Sequence, residues 1–504
     1  MNNLSKISSI VKKPKQGQDD ARCDLGFLIA AAEGNPVAEL GGLIPRAVLK
    51  TGNAYAYVIG YGLEPINKYE LKEAGIAKLH VINELAIGSE EISMRLFEKA
   101  KDIAFKALSE KLGAQRASFI SYLIAHDTVG YGAVSILLED RSKLEEIEIN
   151  SPTAPILVHH SEYGLCHTNL SFASASQFKR VVNKMAYEAE KELNDSSPII
   201  DVQIGNARIH AQIKPYAQSG GAATIRLASA NSVGIDYLLK RKSASEEELA
   251  YMWLAVDSKV NVLISGAPAS GKTTLLSALM SLVPKYQRIA TIEEDINELK
   301  AEVDFNNVVA LYGSRYGGVS AREQVINALR MRPDMLIVGE IRGEEAREMF
   351  AGANLGIPFV TTMHSNEGGI EILKRLLVKP MNVDPIALSM LDVALYMKQI
   401  DISRRVLSGI YEYKWLSRAE TESGIEINET NNVQIDELTK SGAFDRSMLN
   451  NSKVVKAYAK SKDITPNAAL REFDRRVKFL KKFSTYGLEH DTVSEFVRQY
   501  EENL

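Results

Sequence analysis

The chain has 504 residues, 45% of them hydrophobic and 25% charged, with a formal net charge of −4. This is the composition of a soluble globular protein of two or three domains, and the charge is too small to imply a polyanionic partner for the chain as a whole. No apolar stretch approaches the roughly 20 residues that cross a bilayer, and residues 1–18 lack the apolar centre of a secretory signal. Only two cysteines are present, which excludes a disulfide framework. We therefore expect a cytoplasmic protein with no nucleic-acid partner.

The first half of the chain falls into three predicted regions. Residues 1–23 form a polar, lysine-rich segment, predicted to be a mobile arm. Residues 24–128 are a mixed and largely helical region in which apolar residues recur near helical spacing over 90–110. Residues 129–238 combine a predicted helix at 176–193 with short strands, which indicates an α/β domain. The predicted strands are 146–149, 156–160, 199–204, 207–213 and 223–227.

Residues 239–416 have the alternating strands and helices that build a parallel sheet. The predicted strands are 261–265, 288–292, 335–338 and 359–362, and a helix covers 272–283. Residues 417–504 form a C-terminal extension, polar to about residue 445 and then helical from Pro466, which can occupy the first helical position without losing a needed N–H. One buried helix face is predicted from the spacing of Leu470, Phe473, Val477 and Leu480.

The most specific motif is the run of residues 266–273, which matches G-x-x-x-x-G-K-[ST] between a predicted strand and a predicted helix. In such a P-loop the backbone N–H groups and the helix N-terminus surround phosphate oxygens. Lys272 would reach the β and γ phosphates, and the Thr273 hydroxyl would hold Mg²⁺. The motif predicts ATP and Mg²⁺ as ligands. The candidate nucleotide-binding residues are Gly266, Ala269, Ser270, Gly271, Lys272, Thr273 and Thr274.

Acidic residues and one histidine follow the predicted parallel strands, at the sheet edge where ligands bind in such folds. Glu340 is a candidate to hold a magnesium-bound water or polarise the attacking one. Glu293 or Glu294 is a candidate general base, and the alternative is an exposed acidic turn. His364 is a candidate sensor of the γ-phosphate, and the alternative is a structural histidine.

A second cluster contains His159, His160, Cys166 and His167. It lies across a predicted hairpin, where neighbouring histidines point to opposite faces. This favours a structural role over metal binding.

Together these motifs resemble the secretion ATPase superfamily, which powers type II secretion, type IV pili and the archaellum. Residues 289–294 look like its aspartate box, 329–343 like its Walker B region and 361–366 like its histidine box. The segments 197–201, 207–211 and 224–226 are similar to strands that precede the ATPase core in this family. There, arginines of the N-terminal domain reach the nucleotide phosphates, so the resemblance makes Arg208 and Arg226 candidates for that contact.

Three departures from the family pattern stand out. Glu294 occupies a position where the family usually has aspartate, and Leu355-Gly356-Ile357 stands where it usually has Thr-Gly-His. The four-cysteine zinc insert of many bacterial members is absent. The third departure points to the archaeal-type branch of the family.

The resemblance implies a RecA-like P-loop ATPase core, an N-terminal α/β (PAS-like) domain at 129–238 and a small C-terminal helical extension. It further implies a homo-hexameric motor at the inner face of the cell membrane that pushes on an integral membrane platform protein. The altered aspartate and histidine boxes leave an alternative, an ATP-binding regulatory or scaffolding subunit with little hydrolysis. A DNA translocase is weaker, since no basic or aromatic groove is visible in the sequence.

Overall fold

The structure is a computed structural model. It describes residues 27–29, 36–40, 44–51, 54–85, 94–205, 207–227, 234–284, 286–294, 299, 307–313, 318–401, 404–415, 433–440, 442–486 and 500. The predicted basic arm and residues 417–432 of the predicted polar extension lie outside this part of the chain. The chain divides into two compact units, residues 1–230 and 231–504.

The first unit is built on a mixed sheet with helices. Its strands are β1 Phe27–Ile29, β2 Pro36–Leu40, β3 Arg46–Thr51, β4 Ala54–Ile59, β5 Leu144–Ile149, β6 Leu157–His160, β7 Gly164–Thr168, β8 Leu170–Phe172, β9 Ile199–Ile204, β10 Ala207–Ile213 and β11 Gly221–Leu227. Its helices are α1 Lys68–Leu85, α2 Met94–Leu112, α3 Ala114–Thr128, α4 Ala133–Leu138 and α5 Ala175–Glu188.

Among the described residues, nine of these strands form one sheet in the order β2-β3-β4-β7-β6-β5-β11-β10-β9. In β10 buried and more exposed positions alternate, because successive side chains of a strand point to opposite faces. Strands from both sides of residue 129 share this sheet, since β4 pairs in parallel with β7.

Helix α5 is shorter than the predicted helix at 176–193. It begins where the Ser174 side chain accepts a hydrogen bond from the Gln177 N–H, a standard N-cap. It ends at Glu188, and two residues later Glu190 has a φ of 54°, which an α-helix cannot contain. The sequence carries no glycine or proline at this point, so the composition gave no signal for the stop.

The second unit contains an eight-stranded, mostly parallel sheet. Its strands are β12 Val262–Gly266, β13 Ile289–Glu294, β14 Val308–Gly313, β15 Met335–Ile341, β16 Phe359–His364, β17 Val393–Gln399, β18 Arg405–Trp415, β19 Val433–Glu437, β20 Thr439–Lys440 and β21 Ala443–Phe444. Its helices are α6 Ile235–Lys240, α7 Glu246–Asp257, α8 Lys272–Met280, α9 Ala321–Arg330, α10 Glu345–Asn354, α11 Ile370–Leu377, α12 Pro385–Leu388, α13 Lys453–Ser461 and α14 Pro466–Tyr486, with a 3₁₀ helix at Arg446–Asn451.

The described strands of this sheet run in the order β14-β13-β15-β16-β12-β17-β18-β19. The first six are parallel, and the last two are antiparallel additions. Every residue of β12 is buried, as expected for an apolar strand covered by helices on both faces. The predicted α/β class with a RecA-like core is confirmed.

The C-terminal helices pack on the core. Helix α14 starts with Pro466, and Thr465 Oγ1 accepts a hydrogen bond from the Ala468 N–H. The predicted face is buried at Phe473, Val477 and Leu480. A charged residue lies on the same face: Arg476 has no exposed surface and pairs with Asp257 at 2.5 Å and Glu472 at 3.1 Å. Its guanidinium also lies 4.5 Å from the centre of the Trp253 ring, so two carboxylates and an aromatic ring compensate this buried cation.

A buried carboxylate joins the sheet to helix α13. Glu412 of β18 has no exposed surface. It accepts hydrogen bonds from the Tyr251 hydroxyl at 2.8 Å, the Ser452 hydroxyl at 2.5 Å and the Lys453 N–H at 2.6 Å. A carboxylate at a helix N-terminus satisfies N–H groups that have no partner within the helix and is favoured by the helix dipole. Burial and this carboxylate raise the pKa of Tyr251 well above its usual value.

In the part of the chain that the structure describes, helices long enough to cross a bilayer are too polar to do so.

Replacing Glu412 with alanine should lower the free energy of unfolding of the second unit by about 3 kcal/mol, because three buried donors lose their acceptor. Glu412→Gln should cost less, since its amide oxygen still accepts. Both tryptophans, Trp253 and Trp415, lie in this unit, so urea unfolding followed by tryptophan fluorescence measures it selectively.

The matched control is Glu344→Ala, which removes an exposed carboxylate 3.4 Å from Arg322. It should change the free energy of unfolding by no more than about 0.5 kcal/mol. Equal effects of the two alanine substitutions would contradict the anchoring role of Glu412.

Candidate functional site

The P-loop connects β12 to α8 through a run of unusual backbone conformations. Gly266 has a φ of 153°, Ala269 of 59° and Gly271 of 94°. A Cβ at Gly266 would lie 2.4 Å from the backbone oxygen of Met397 in β17 and 2.5 Å from Ser270 Oγ. The loop therefore fits against the neighbouring strand only because residue 266 has no side chain.

Lys272, the first residue of α8, is held inward. Its side chain is almost fully buried, and Nζ donates to the backbone oxygen of Ala267 at 2.8 Å. Nζ also lies 3.1 Å from Nδ1 of His364, at the end of β16. The buried ammonium is thus coordinated by the loop and by a neighbouring strand, as a charge removed from water requires.

His364 contacts a carboxylate through its other ring nitrogen. Nε2 lies 2.8 Å from Oε1 of Glu340 in β15. An ammonium group can only donate, so Nδ1 of His364 accepts from Lys272 and the hydrogen of a neutral ring lies on Nε2. The contact with Lys272 thus selects one tautomer of the histidine, and Nε2 is near Glu340 without an aligned hydrogen bond.

Glu340 lies at an irregularity of the sheet. The register between β15 and β16 shifts between Val338 and Ile341, so an additional residue is accommodated opposite Thr362. Such bulges change the direction of a side chain and occur beside active sites. The Thr362 hydroxyl donates to the Gly339 oxygen at 2.7 Å and supports the bulge. Gly339 stands at the position where many P-loop proteins have an aspartate. A Cβ atom at residue 339 would lie 3.3 Å from Cγ of Glu293.

Arg342 extends this set of contacts and was missed by the sequence analysis. Its guanidinium contacts Glu294 directly and lies 3.7 Å from Oε2 of Glu340. Lys272, His364, Glu340, Arg342 and Glu294 therefore form one continuous series of ionisable side chains, which we call the carboxylate relay. Four of its members were candidates from the sequence, so Arg342 and the order of the five side chains in space are the new features.

The two acidic residues at the end of β13 have different surroundings. Glu294 contacts Arg342, whereas Glu293 is buried and accepts a hydrogen bond from the Leu299 N–H at 3.2 Å. Neighbouring residues of a strand face opposite sides, which explains the difference. Glu294 is the member of the pair that joins the relay.

The remaining P-loop candidates lie on the loop and on the first turn of α8. Ser270 is fully buried, and its hydroxyl has no hydrogen-bond partner among the described residues. Thr273 and Thr274 are half-buried at the helix start. A hydroxyl at Thr273 and a carboxylate at Glu340 are oxygen donors of the kind that Mg²⁺ prefers, so the residues present fit this ion.

Arg405 is a second residue that the sequence analysis missed. A Cβ at Gly271 would lie 3.4 Å from Cδ of Arg405, so the arginine side chain packs beside the P-loop. It is the first residue of β18, far along the chain from residue 271. No local pattern links the two, and the sequence contains no signal that would have identified the contact.

The two candidate arginines of the first unit lie directly opposite each other, since Arg208 of β10 is the register partner of Arg226 of β11. Both are close to carboxylates. Arg208 donates twice to Asp201, at 3.0 and 2.9 Å, and Arg226 lies 3.6 Å from Glu146. Arg226 is much more exposed, with 66% of its side chain accessible against 19% for Arg208.

The histidine and cysteine residues of the first unit are separated. His159 faces Glu148 at 2.8 Å, whereas His160 is buried and accepts from the Glu162 N–H. Cys166 is buried, and burial raises the pKa of its thiol to about 12. Within the described ranges, no group of three or more His, Cys, Asp or Glu could hold a metal ion.

Two known proteins and one solved structure illustrate what this chain is similar to. The conjugal transfer protein TrbB of Rhizobium radiobacter is 30% identical over 244 residues, covering 47% of this chain and 72% of that protein. An uncharacterized protein of the archaeon Methanocaldococcus jannaschii is 30% identical over 237 residues, which is 45% of this chain and 32% of the relative. The X-ray structure of the Legionella pneumophila ATPase DotB is 17% identical, with a TM-score of 0.42, and covers 71% of this chain and 92% of that chain.

A second Methanocaldococcus jannaschii protein is 28% identical, and the match covers 58% of its length. The chain thus spans less than two thirds of the length of either archaeal relative. A family model described as type II/IV secretion system protein matches residues 146–485, more than half of the chain. This match confirms the resemblance seen in the motifs: the chain belongs to the type II/IV secretion system protein family.

Proposed function

We propose that the chain is a Mg²⁺-dependent ATPase that works as a homo-hexameric motor, assembling or moving a type IV pilus-like filament or driving type II-like secretion. The observation that carries this proposal is the carboxylate relay, which connects the P-loop lysine to Glu340 through His364. A structural glycine loop would have no need of a histidine on the adjacent strand β16 and an acid on the next strand, β15.

In this proposal the P-loop binds the phosphates of ATP. Lys272 leaves the Ala267 oxygen and donates to the β and γ phosphates, and the backbone N–H groups after Gly266 surround the phosphate oxygens. Thr273 and Glu340 hold Mg²⁺, which when bound neutralises the charge that develops on the phosphoryl oxygens. Ser270, with a buried hydroxyl and no described partner, is available as a further donor to phosphate.

Movement of Lys272 changes the relay. His364 loses the ammonium at Nδ1 and can accept a hydrogen bond from a γ-phosphate-bound water, while Nε2 keeps Glu340 oriented. Glu340 polarises the attacking water, and Glu294 balances the charge of Arg342. Phosphate binding and orientation of the catalytic carboxylate are in this way coupled through one histidine.

We assign to Arg208 and Arg226 of the first unit the role of contacting nucleotide phosphates. Arg208 must exchange Asp201 for phosphate, whereas the more exposed Arg226 has a weaker partner in Glu146. The proposal places the hexamer in the cytoplasm, at the inner face of the membrane, against an integral membrane platform protein.

One observation favours the alternative of an ATP-binding regulatory or scaffolding subunit. The oxygens of Glu340 already face two side chains, His364 at 2.8 Å and Arg342 at 3.7 Å. A carboxylate held in two contacts must release one of them before it can accept a proton from water. If Arg342 does not move away from Glu340, the chain would bind ATP and hydrolyse it slowly.

Glu340→Gln should retain ATP binding and lose at least about 100-fold in the rate of hydrolysis, because the amide cannot accept a proton. Lys272→Ala should lose binding itself, since the ammonium that contacts the phosphates is gone. The measurements are the dissociation constant for a fluorescent ATP analogue and steady-state phosphate release with and without Mg²⁺.

Glu367→Gln serves as the control, because it removes an exposed carboxylate close to His364 in sequence but outside the relay. It should leave both quantities unchanged. Equal and negligible hydrolysis by the parent and Glu340→Gln, with intact binding, would support the scaffolding alternative instead.

Gly266→Ala should weaken ATP binding by roughly tenfold or more, because a Cβ 2.4 Å from a backbone oxygen forces the P-loop away from β17. Gly356→Ala is the matched control: Gly356 also has a positive φ, but nothing lies within 4 Å of its Cβ position. Both variants carry backbone strain, and only the first carries the clash. Similar dissociation constants for the two variants would show that the close approach at Gly266 is not required.

A further inference from the structure

Helix α14 presents a row of positive charges on its outer face. Arg471, Arg475, Lys478 and Lys482 are exposed and follow each other at intervals of four, three and four residues. This spacing places all four on one side of an α-helix. We call these residues the basic stripe, and Lys481 lies exposed beside it.

The opposite face of α14 fixes the orientation of the stripe. Ala469, Phe473, Val477 and Leu480 are buried in the core of the second unit, and Arg476 is held by Asp257. The helix cannot rotate without exposing these residues to water. The basic stripe is therefore a permanent feature of the surface and does not depend on the conformation of a loop.

The carboxylates near the stripe are already engaged. Glu472 is buried and contacts Arg475, Arg476 and the Tyr500 hydroxyl. Asp474 contacts Arg446 of the 3₁₀ helix. The acidic residues of α14 thus compensate other cations as well as Arg475, and the outer face keeps a net positive charge.

We propose that the basic stripe is a docking surface for a membrane that contains anionic phospholipids. Cations near such a surface are attracted by its negative potential without any need for a pocket. The stripe lies on the convex outer side of a helix, and the positions between the four cations are polar, buried or, at Phe479, partly buried, so that no exposed aromatic residue lies among them.

These features favour a lipid surface over other anionic partners. Proteins that bind single-stranded nucleic acid combine a basic groove with aromatic side chains on which bases stack, and α14 offers neither on this face. The absence of exposed apolar residues in the stripe indicates adsorption to headgroups rather than insertion into the acyl region. The attraction should be screened by salt.

Helix α2 provides a matched comparison surface. Arg95, Lys99 and Lys106 are exposed there, but the exposed carboxylates Glu98, Asp102 and Glu110 lie between them. Three cations can thus be neutralised on either helix with the same change in net charge. Only the substitutions on α14 remove an uninterrupted positive row.

The experiment uses the full chain without nucleotide, sedimented with vesicles of phosphatidylcholine alone or mixed with phosphatidylglycerol. The parent should bind only the mixed vesicles, and less strongly as salt is added. The triple variant Arg471→Gln, Lys478→Gln and Lys482→Gln should bind them roughly tenfold or more weakly, given the attraction of each cation to an anionic surface. The triple variant Arg95→Gln, Lys99→Gln and Lys106→Gln should bind as the parent does.

Three results would overturn the proposal. Equal loss of binding in both triple variants would mean that only net charge matters, and unchanged binding of the α14 variant would exclude the stripe. Binding of the parent to single-stranded oligonucleotides but not to vesicles would assign the stripe to nucleic acid. The fluorescence of Trp253, which lies beneath α14, and urea unfolding establish that the α14 variant is folded. Far-UV circular dichroism of thermal unfolding does the same for the α2 variant, because both tryptophans lie in the second unit. Because no nucleotide is present, the outcome is independent of whether the chain hydrolyses ATP.

Discussion

The candidate site is organised by the need to compensate a buried ammonium group. Lys272 is almost fully buried, and a charge removed from water must find partners in the protein. It finds a backbone oxygen in its own loop and a ring nitrogen on the next strand, and the same histidine then contacts Glu340. The burial of the Lys272 ammonium group therefore sets the tautomer of His364, the direction of Glu340 and the position of Arg342. Side chains from helix α8, from three strands and from the residue that follows β15 are brought together by this requirement.

Local sequence patterns predicted much of this fold. The P-loop has a fixed spacing, and the buried parallel strands are short apolar runs, so β12, β13, β15 and β16 were all predicted close to their observed positions. Helix boundaries were less accurate: α8 ends at Met280, before the predicted end at residue 283. The fold class follows from patterns that extend over ten residues or fewer, which explains why the sequence was sufficient for it.

The contacts between side chains could not be predicted in the same way. Arg342 is two residues from Glu340, yet its contact with Glu294 depends on the pairing of β13 with β15. Arg405 reaches the P-loop only because β18 folds back beside β17. Arg476 has the spacing of the buried face, but an arginine is expected at the surface; it is buried here because Asp257 and Glu472 accompany it. Such a charge pair is recognisable only when both partners are placed, and Asp257 and Glu294 are far in sequence from the arginines that they contact.

The buried Glu412 limits where the chain can be shortened without unfolding the second unit. A chain that stopped at Trp415 would keep the whole P-loop and the parallel sheet, but Glu412 would lose the Ser452 and Lys453 donors that surround it. Trp253 would at the same time lose the cover of Arg476 and Phe479. The C-terminal helices are therefore part of the folding unit of the core rather than an accessory to it. Gene fragments that end after the last core strand should yield aggregating protein. Substitutions in the C-terminal helices should be tolerated more often than their deletion.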